Sequence, residues 1–261
     1  MFRRLMCLIL IAYQPEPRYQ LVVAANRDEF FRRPTAPADY WAGAMHVLGG
    51  RDLEKGGTWM GVSRDGRWAA VTNYRDGTVV NPGAKSRGEL VAGFLRKPAA
   101  PGAYANSVRH SAGDYAGFNL IVGDQECLHY YSSKQSATQA LGPGLYGLSN
   151  GLLDCAWPKV QRGKTALGHA LASRGPDDMV DNLLAALADR TIAPDDALPS
   201  TGIALDWERR LSAAFISAPG YGTRASTVLV LTKDGEMYFH ERSFDNHANV
   251  LEDRRFRFER G

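Results

Sequence analysis

Cysteine is scarce in this chain. Its three cysteines, Cys7, Cys127 and Cys155, are far apart and odd in number, which argues against a disulfide framework or a zinc site and fits a reducing compartment. A strong charge of either sign is also missing. The formal net charge is +3, with no clustered Lys/Arg stripe, and that gives no footing for nucleic acid. No apolar stretch approaches the roughly 20 residues that span a bilayer. There is no linker, repeat or low-complexity tract. His46, His110, His129, His169, His240 and His247 form no metal-binding or haem-attachment pattern. Gly49-Gly50 and Gly56-Gly57 are too loosely spaced for a phosphate-binding loop.

What is present is an ordinary globular composition. The 261 residues are 44% hydrophobic and 23% charged, enough for a sizeable core. Arg3-Arg4 followed by Leu5 to Tyr13 imitates a secretory signal. No small-residue cleavage site follows it, however, and Pro15 and Pro17 come directly after the apolar run. A lipoprotein reading fails because that run lies after Cys7. The expected location is the cytoplasm.

Strand patterns dominate the first third. Leu8 to Tyr13 and Tyr19 to Ala25 read as a hairpin whose second strand ends on Asn26-Arg27-Asp28-Glu29. Gly57 to Ser63 and Arg67 to Tyr74 form a second hairpin around Asp65-Gly66. Ser86-Arg87-Gly88-Glu89 has capping-box spacing and opens a helix over Leu90 to Leu95. Strands follow at 117–124 and 127–132, helices at about 158–172 and 176–190, and strands again at 226–231 and 237–240. Hairpins, a helical pair and further strands predict one α+β domain over residues 7–261 with helices covering sheet faces. Residues 1–6 read as a leader that is removed or precedes the true start.

Were Cys7 the first residue, it would carry a thiol nucleophile and a free α-amine, whose usual pKa of about 7.7–8.0 lets it take the thiol's proton near neutrality. Asn73, Asn150 and Arg224, like the Asn26–Glu29 quartet, lie at the ends of apolar strands, where a rigid scaffold can aim them at one cleft. Thiolate attack on an amide develops an oxyanion. Asn amides stabilise such a charge, each donor being worth about 2.7–4 kcal/mol. An Arg lowers a thiol's pKa and anchors a substrate carboxylate. Asp28 or Glu29 could hold the N-terminal ammonium.

Met6-Cys7, Asn26-Arg27-Asp28-Glu29, Gly49-Gly50-Arg51-Asp52, Gly56-Gly57-Thr58-Trp59, Thr72-Asn73-Tyr74-Arg75 and Ser86-Arg87-Gly88 together resemble the NRDE family. The same is true of Phe118-Asn119-Leu120, Leu148-Ser149-Asn150-Gly151, Trp157-Pro158-Lys159 and Tyr221-Gly222-Thr223-Arg224. That family includes the transport-and-Golgi-organisation protein 2 homologues. The order of elements is similar to that of N-terminal-nucleophile hydrolases of the choloylglycine hydrolase and penicillin V acylase type. The resemblance implies a four-layer αββα sandwich. It matches Cys7 to the nucleophile, Asn73 and Asn150 to oxyanion positions, and Arg224 to a late active-site Arg. The quartet departs from those hydrolases, whose Arg and Asp stand three residues apart. Here Arg27 and Asp28 are adjacent, whereas Asn26 and Glu29 have that spacing. An extension retained ahead of Cys7 would leave no free amine there.

Two functions follow as expectations. One is hydrolysis of a non-peptide C–N bond in a small or lipid-like substrate, with Cys7, Arg27, Asp28, Asn73, Asn150 and Arg224 catalytic and no cofactor required. The other, implied by the family's association with haem trafficking and acyl-CoA or lipid homeostasis, is non-catalytic carriage of haem or acyl-CoA. In that reading Asn26, Arg27, Glu29 and Arg224 bind the ligand. Neither reading needs a metal, and the oligomeric state stays open.

Overall fold

The computed structural model describes residues 6–75 and 84–261. The leader reading falls outside this range except for Met6, whose backbone opens the first strand. That strand, β1 (Met6–Glu16), forms a hairpin with β2 (Tyr19–Phe30). Side chains alternate across a strand, so Ile9, Ile11 and Tyr13 enter one apolar layer while Leu8, Leu10 and Ala12 enter another. Both faces of the hairpin are covered, hence its unbroken apolar runs.

The chain continues through β3 (Thr35–Trp41), β4 (Ala44–Asp52), β5 (Met60–Ser63) and β6 (Trp68–Asn73) to helices α1 (Gly88–Arg96) and α2 (Pro101–His110). Strands β7 (Phe118–Gly123), β8 (Leu128–Ser132), β9 (Gln139–Leu141) and β10 (Gly144–Leu148) follow. Next come α3 (Pro158–Ala170), α4 (Pro176–Leu187) and α5 (Leu205–Leu211), and the chain closes with β11 (Ser217–Ala218), β12 (Tyr221–Thr232), β13 (Glu236–Phe244) and β14 (Val250–Glu259).

The strands make two antiparallel sheets. One is ordered β10-β1-β2-β12-β13-β14 with β11 paired to β12, and the other runs β3 to β9 in sequence order. Ile9, Ile11, Val23 and Phe239 of the first sheet pack against Val62, Trp68 and Ile121 of the second. The outer face of the first sheet is covered by Val160, Leu167, Leu183 and Leu187 from α3 and α4. Leu90, Val91, Phe94 and Val108 from α1 and α2 cover the second. The layers are therefore helices, sheet, sheet, helices, the αββα order expected from the sequence. Among the described residues no helix is long and apolar enough to cross a membrane.

Some local expectations need correction. The capping box does not form, because the position preceding α1 belongs to Arg87, not Ser86, and no side chain caps the helix. Glu89 instead accepts the Tyr115 hydroxyl proton at 2.7 Å. The two later helices end at Ala170 and Leu187, short of the expected limits. The second strand carries the quartet at its end, as read, and runs one residue beyond it to Phe30.

Candidate active site

In-register pairing places Cys7 directly across from Arg27, and Met6 across from Asp28. Period-two alternation then sorts the quartet: Arg27 and Glu29 share the inter-sheet face with Cys7, while Asn26 and Asp28 turn toward the helices. Cys7, Arg27, Asp28, Glu29 and Asn73 all line one cavity of about 520 Å³. Its opposite wall comes from Thr58, Trp59 and the segment Ser86-Arg87-Gly88.

Two glycines make that wall possible. A Cβ on Gly50 would fall 2.2 Å from the Trp59 ring, so only glycine lets the indole lie there. At Gly57, φ is +75° and a Cβ would meet the Gly88 carbonyl at 2.5 Å, a close approach that lets Thr58 N–H donate to Gly88 O at 3.2 Å. The Trp59 ring receives the Arg27 guanidinium at 4.3 Å from its centroid. Arg27 also donates to Thr35 Oγ1 at 3.0 Å and lies 3.8 Å from Glu29. Glu29 is shared with Arg33 at 3.5 Å, and Arg33 closes on Asp52 at 2.6 Å. This chain of charges is buried at the Arg27–Glu29 end, where hydrogen bonds and pairing must offset desolvation.

Asn150 ties three segments together. Its Oδ1 accepts the Cys7 backbone N–H at 3.3 Å, and its Nδ2 donates to the Asn73 carbonyl at 2.9 Å. Ser149 Oγ donates to the Cys7 carbonyl at 2.8 Å. Beneath this loop, Thr72 donates to Ser149 O at 2.7 Å, while Asn119 donates to Thr72 Oγ1 at 3.0 Å and to Gly151 O at 2.9 Å. Asn119 in turn accepts from Tyr130 at 2.9 Å. A fully bonded buried network of this kind fixes side-chain positions.

Burial, reinforced by the Asp28 charge, pushes the Cys7 thiol up to about 12, against the Asp28 N–H, Arg27 and Lys159, which favour the thiolate. Burial likewise raises Asp28 to about 6, opposed by Lys159, the Thr223 hydroxyl and Arg27. The buried Lys159 ammonium is lowered to about 8. A thiol held this high is protonated at neutral pH and needs a base beside it to act as a nucleophile.

The sequence profile of the Transport and Golgi organisation 2 family matches residues 6–246. The chain belongs to that family. It is 39% identical to a Transport and Golgi organization protein 2 homolog of Bos taurus over 91% of this chain and 93% of the relative. The Homo sapiens homolog is 35% identical over 97% of this chain and 99% of its own. Among solved structures, a Caenorhabditis elegans N-acylethanolamine-hydrolyzing acid amidase ortholog aligns with a TM-score of 0.47 and 12% identity over 86% of this chain and 92% of that one. A conjugated bile acid hydrolase from Clostridium perfringens aligns at 0.47 and 9% identity over 97% of each chain.

In this Transport and Golgi organisation 2 family member, two residues expected at the site sit elsewhere. Asn26 faces the helical layer, donating to the Leu187 and Ala214 carbonyls at 2.8 Å each and accepting from Ser226 at 2.6 Å. It fastens α4 to the sheet and does not line the cavity. Arg224 does not precede β12 but lies inside it, as the extra residue of a bulge: Thr223 pairs with Asp28 and Ala225 with Arg27. Its Nη1 donates to the carbonyls of Phe30, Phe31 and Arg33 at 3.0–3.3 Å, so it holds the turn after the quartet. Trp59, the Arg33–Asp52 pair and Lys159 belong to the site or its support, and sequence reasoning gave them no role. Trp59, Asp52 and Lys159 lie in the Gly-Gly-Thr-Trp, Gly-Gly-Arg-Asp and Trp-Pro-Lys runs, whereas Arg33 lies outside any such run.

Proposed function

We propose that this protein hydrolyses a non-peptide C–N bond of a small or lipid-like amide, with Cys7 as nucleophile. The observation that carries the reading is the Cys7 setting: the thiol lines the cavity, its backbone nitrogen is held by Asn150, and Arg27 stands directly across from it. When the chain begins at Cys7, that nitrogen is a free amine. The amine takes the thiol proton and the thiolate attacks the amide carbon. Amide groups of Asn73 and Asn150 stabilise the oxyanion. The protonated amine then gives its proton to the departing substrate nitrogen as the C–N bond breaks. Water, deprotonated by the same amine, cleaves the thioester and releases the acid. Asp28 and Arg27 balance charge around these transfers, and Arg224 keeps the turn after β2 in place.

A panel of N-acyl amides incubated with protein processed to Cys7 tests the reading. Turnover falls steeply in Cys7→Ser and vanishes in Cys7→Ala if it holds, while both variants keep the fold.

A specific feature favours carriage of an anionic ligand as the second reading. Arg27, Arg32, Arg33, Lys55, Lys85 and Arg87 outnumber Asp28, Glu29, Asp52 and Glu54 around the cavity. The donor set suits a phosphate- or carboxylate-bearing ligand such as an acyl-CoA. Saturable acyl-CoA binding that is lost in Arg27→Ala and indifferent to Cys7→Ala, with no amide turned over, would favour the carrier.

A further inference from the structure

Lys159 is an anomalous residue by two physical criteria. It occupies the first turn of α3, after Trp157 and Pro158, where the helix dipole disfavours a cation. It is also 2% exposed, and its Nζ has no hydrogen-bond partner. A lysine in such a place costs stability unless something nearby uses its charge. Behind Cys7 there is a second buried orphan of opposite sign. Asp28 Oδ1 accepts the Thr223 hydroxyl proton at 2.6 Å, but Oδ2 has no partner.

We propose that Lys159 is a positioning residue of the Cys7 site, forming with Asp28 a buried cation–carboxylate couple behind the nucleophile that supplies a counter-charge to the thiolate. The proposal rests on reading Cys7 as a nucleophile.

The surroundings leave Lys159 this role. The groups it faces are Asp28 and Cys7 from the β1–β2 hairpin, Arg75 from the segment after β6, and Cys155 from the loop before α3. Arg75 is already matched, lying 3.2 Å from the buried Glu208 and stacked on Trp157 at 4.5 Å. Cys7 faces Asp28, Arg27 and Lys159, and Arg87 also feels its charge. Arg27 is engaged with Thr35, Glu29 and Trp59. Among the described residues, Lys159 is the cation within electrostatic reach of Asp28 and Cys7 that no hydrogen bond has claimed. With Lys159 lowered to about 8 and Asp28 raised to about 6, both carry charge between those values. Below that window Asp28 takes up a proton; above it Lys159 gives its proton up and the thiolate loses a neighbouring cation.

The test is the rate of Cys7 alkylation by iodoacetamide on the full chain at about pH 7, where Lys159 carries its charge, read on the Cys7 peptide by mass spectrometry so that Cys127 and Cys155 do not contribute. In Lys159→Met that rate falls about tenfold or more, the size of effect a neighbouring opposite charge exerts on a thiol. Lys159→Arg keeps the wild-type rate. A Lys159→Met protein that melts cooperatively but retains the wild-type rate overturns the proposal, as does a Lys159→Arg rate equal to that of Lys159→Met. Should Lys159→Met not fold, Asp28→Asn is compared with Asp28→Asn/Lys159→Gln. A slower double variant supports the proposal and an equal one overturns it. Turnover is not part of this readout. Wild-type protein that alkylates at Cys7 yet cleaves no amide removes the hydrolase reading alone, and normal turnover with an unchanged Lys159→Met rate removes the role of Lys159 alone. A Cys7 that resists alkylation altogether overturns both.

Discussion

Arg27 stands directly across from Cys7 on the neighbouring strand and rests its guanidinium on Trp59 at 4.3 Å, with the Glu29 carboxylate 3.8 Å away. A cation so placed keeps part of its charge available to whatever enters the cavity. Arg27→Ala is therefore expected to weaken binding of an anionic ligand by about 1.5–3 kcal/mol for each charge-assisted hydrogen bond lost. Trp59→Leu removes only the platform and costs less, about 0.5–2 kcal/mol. Calorimetric titration with an acyl-CoA or a carboxylate-bearing amide checks the order; equal affinities in wild type and Arg27→Ala would rule out the clamp.

Asn26 differs from its neighbour in every respect that matters for function. Its amide serves Leu187, Ala214 and Ser226 on the helical side. Asn26→Ala is expected to lower stability by about 1–3 kcal/mol through unsatisfied buried groups, with Cys7 reactivity and ligand affinity per folded molecule unchanged. Denaturant melts alongside Cys7 alkylation separate the two effects. A selective loss of affinity without loss of stability would return Asn26 to the binding site.

Glu241 gives the fold a pH dependence of its own. It is 2% exposed, accepts the Ala38 N–H at 2.6 Å and the Thr227 hydroxyl proton at 3.0 Å, and is raised from 4.5 to about 7 chiefly by burial. The folded state thus holds this proton where the unfolded chain has released it, so the contribution is present below about 4.5 and is lost as pH rises through about 7. Glu241→Gln keeps an acceptor for Ala38, and the Thr227 hydroxyl can turn to accept. Its stability relative to wild type should improve from pH 5 to pH 8 by on the order of 2–3 kcal/mol. Thermal melts at the two pH values check the sign, and a relative stability that stays flat or falls contradicts it.

Catalysis by the α-amine requires that amine to be free. Native protein is expected to begin at Cys7, and intact-mass measurement together with N-terminal sequencing shows whether it does. A mature chain that retains Met1 or Phe2 would remove the base from the mechanism.

The sequence displays the hairpin β1–β2 openly because strands covered on both faces read as unbroken apolar runs, α3 because Pro158 suits a first-turn position, and α4 because Leu183, Leu184 and Leu187 recur at helical spacing. It conceals β14, where Glu252, Asp253, Arg254, Arg255 and Arg257 interrupt the apolar positions of an edge strand. With the quartet inside β2, alternation alone separates Asn26 from Arg27, although the shared polarity of the four residues suggests a single cleft. Arg224 could not be placed from spacing, because a bulge is set by pairing with β2 and leaves no mark in one strand's pattern. Lys159 was concealed for a related reason. A charged residue in the first turn of a helix reads as solvated, and only the packing of α3 on the sheet buries it.

The most direct test of Cys7 as nucleophile is a search for its acyl-enzyme. Protein processed to Cys7 is mixed with N-acyl amides, quenched in acid and weighed intact, then mapped by peptide. The account predicts an added acyl mass on the Cys7 peptide that forms as the amine is released, decays on further incubation and is absent in Cys7→Ala. No adduct and no released amine with any amide, alongside saturable acyl-CoA binding that Cys7→Ala leaves intact, would contradict it.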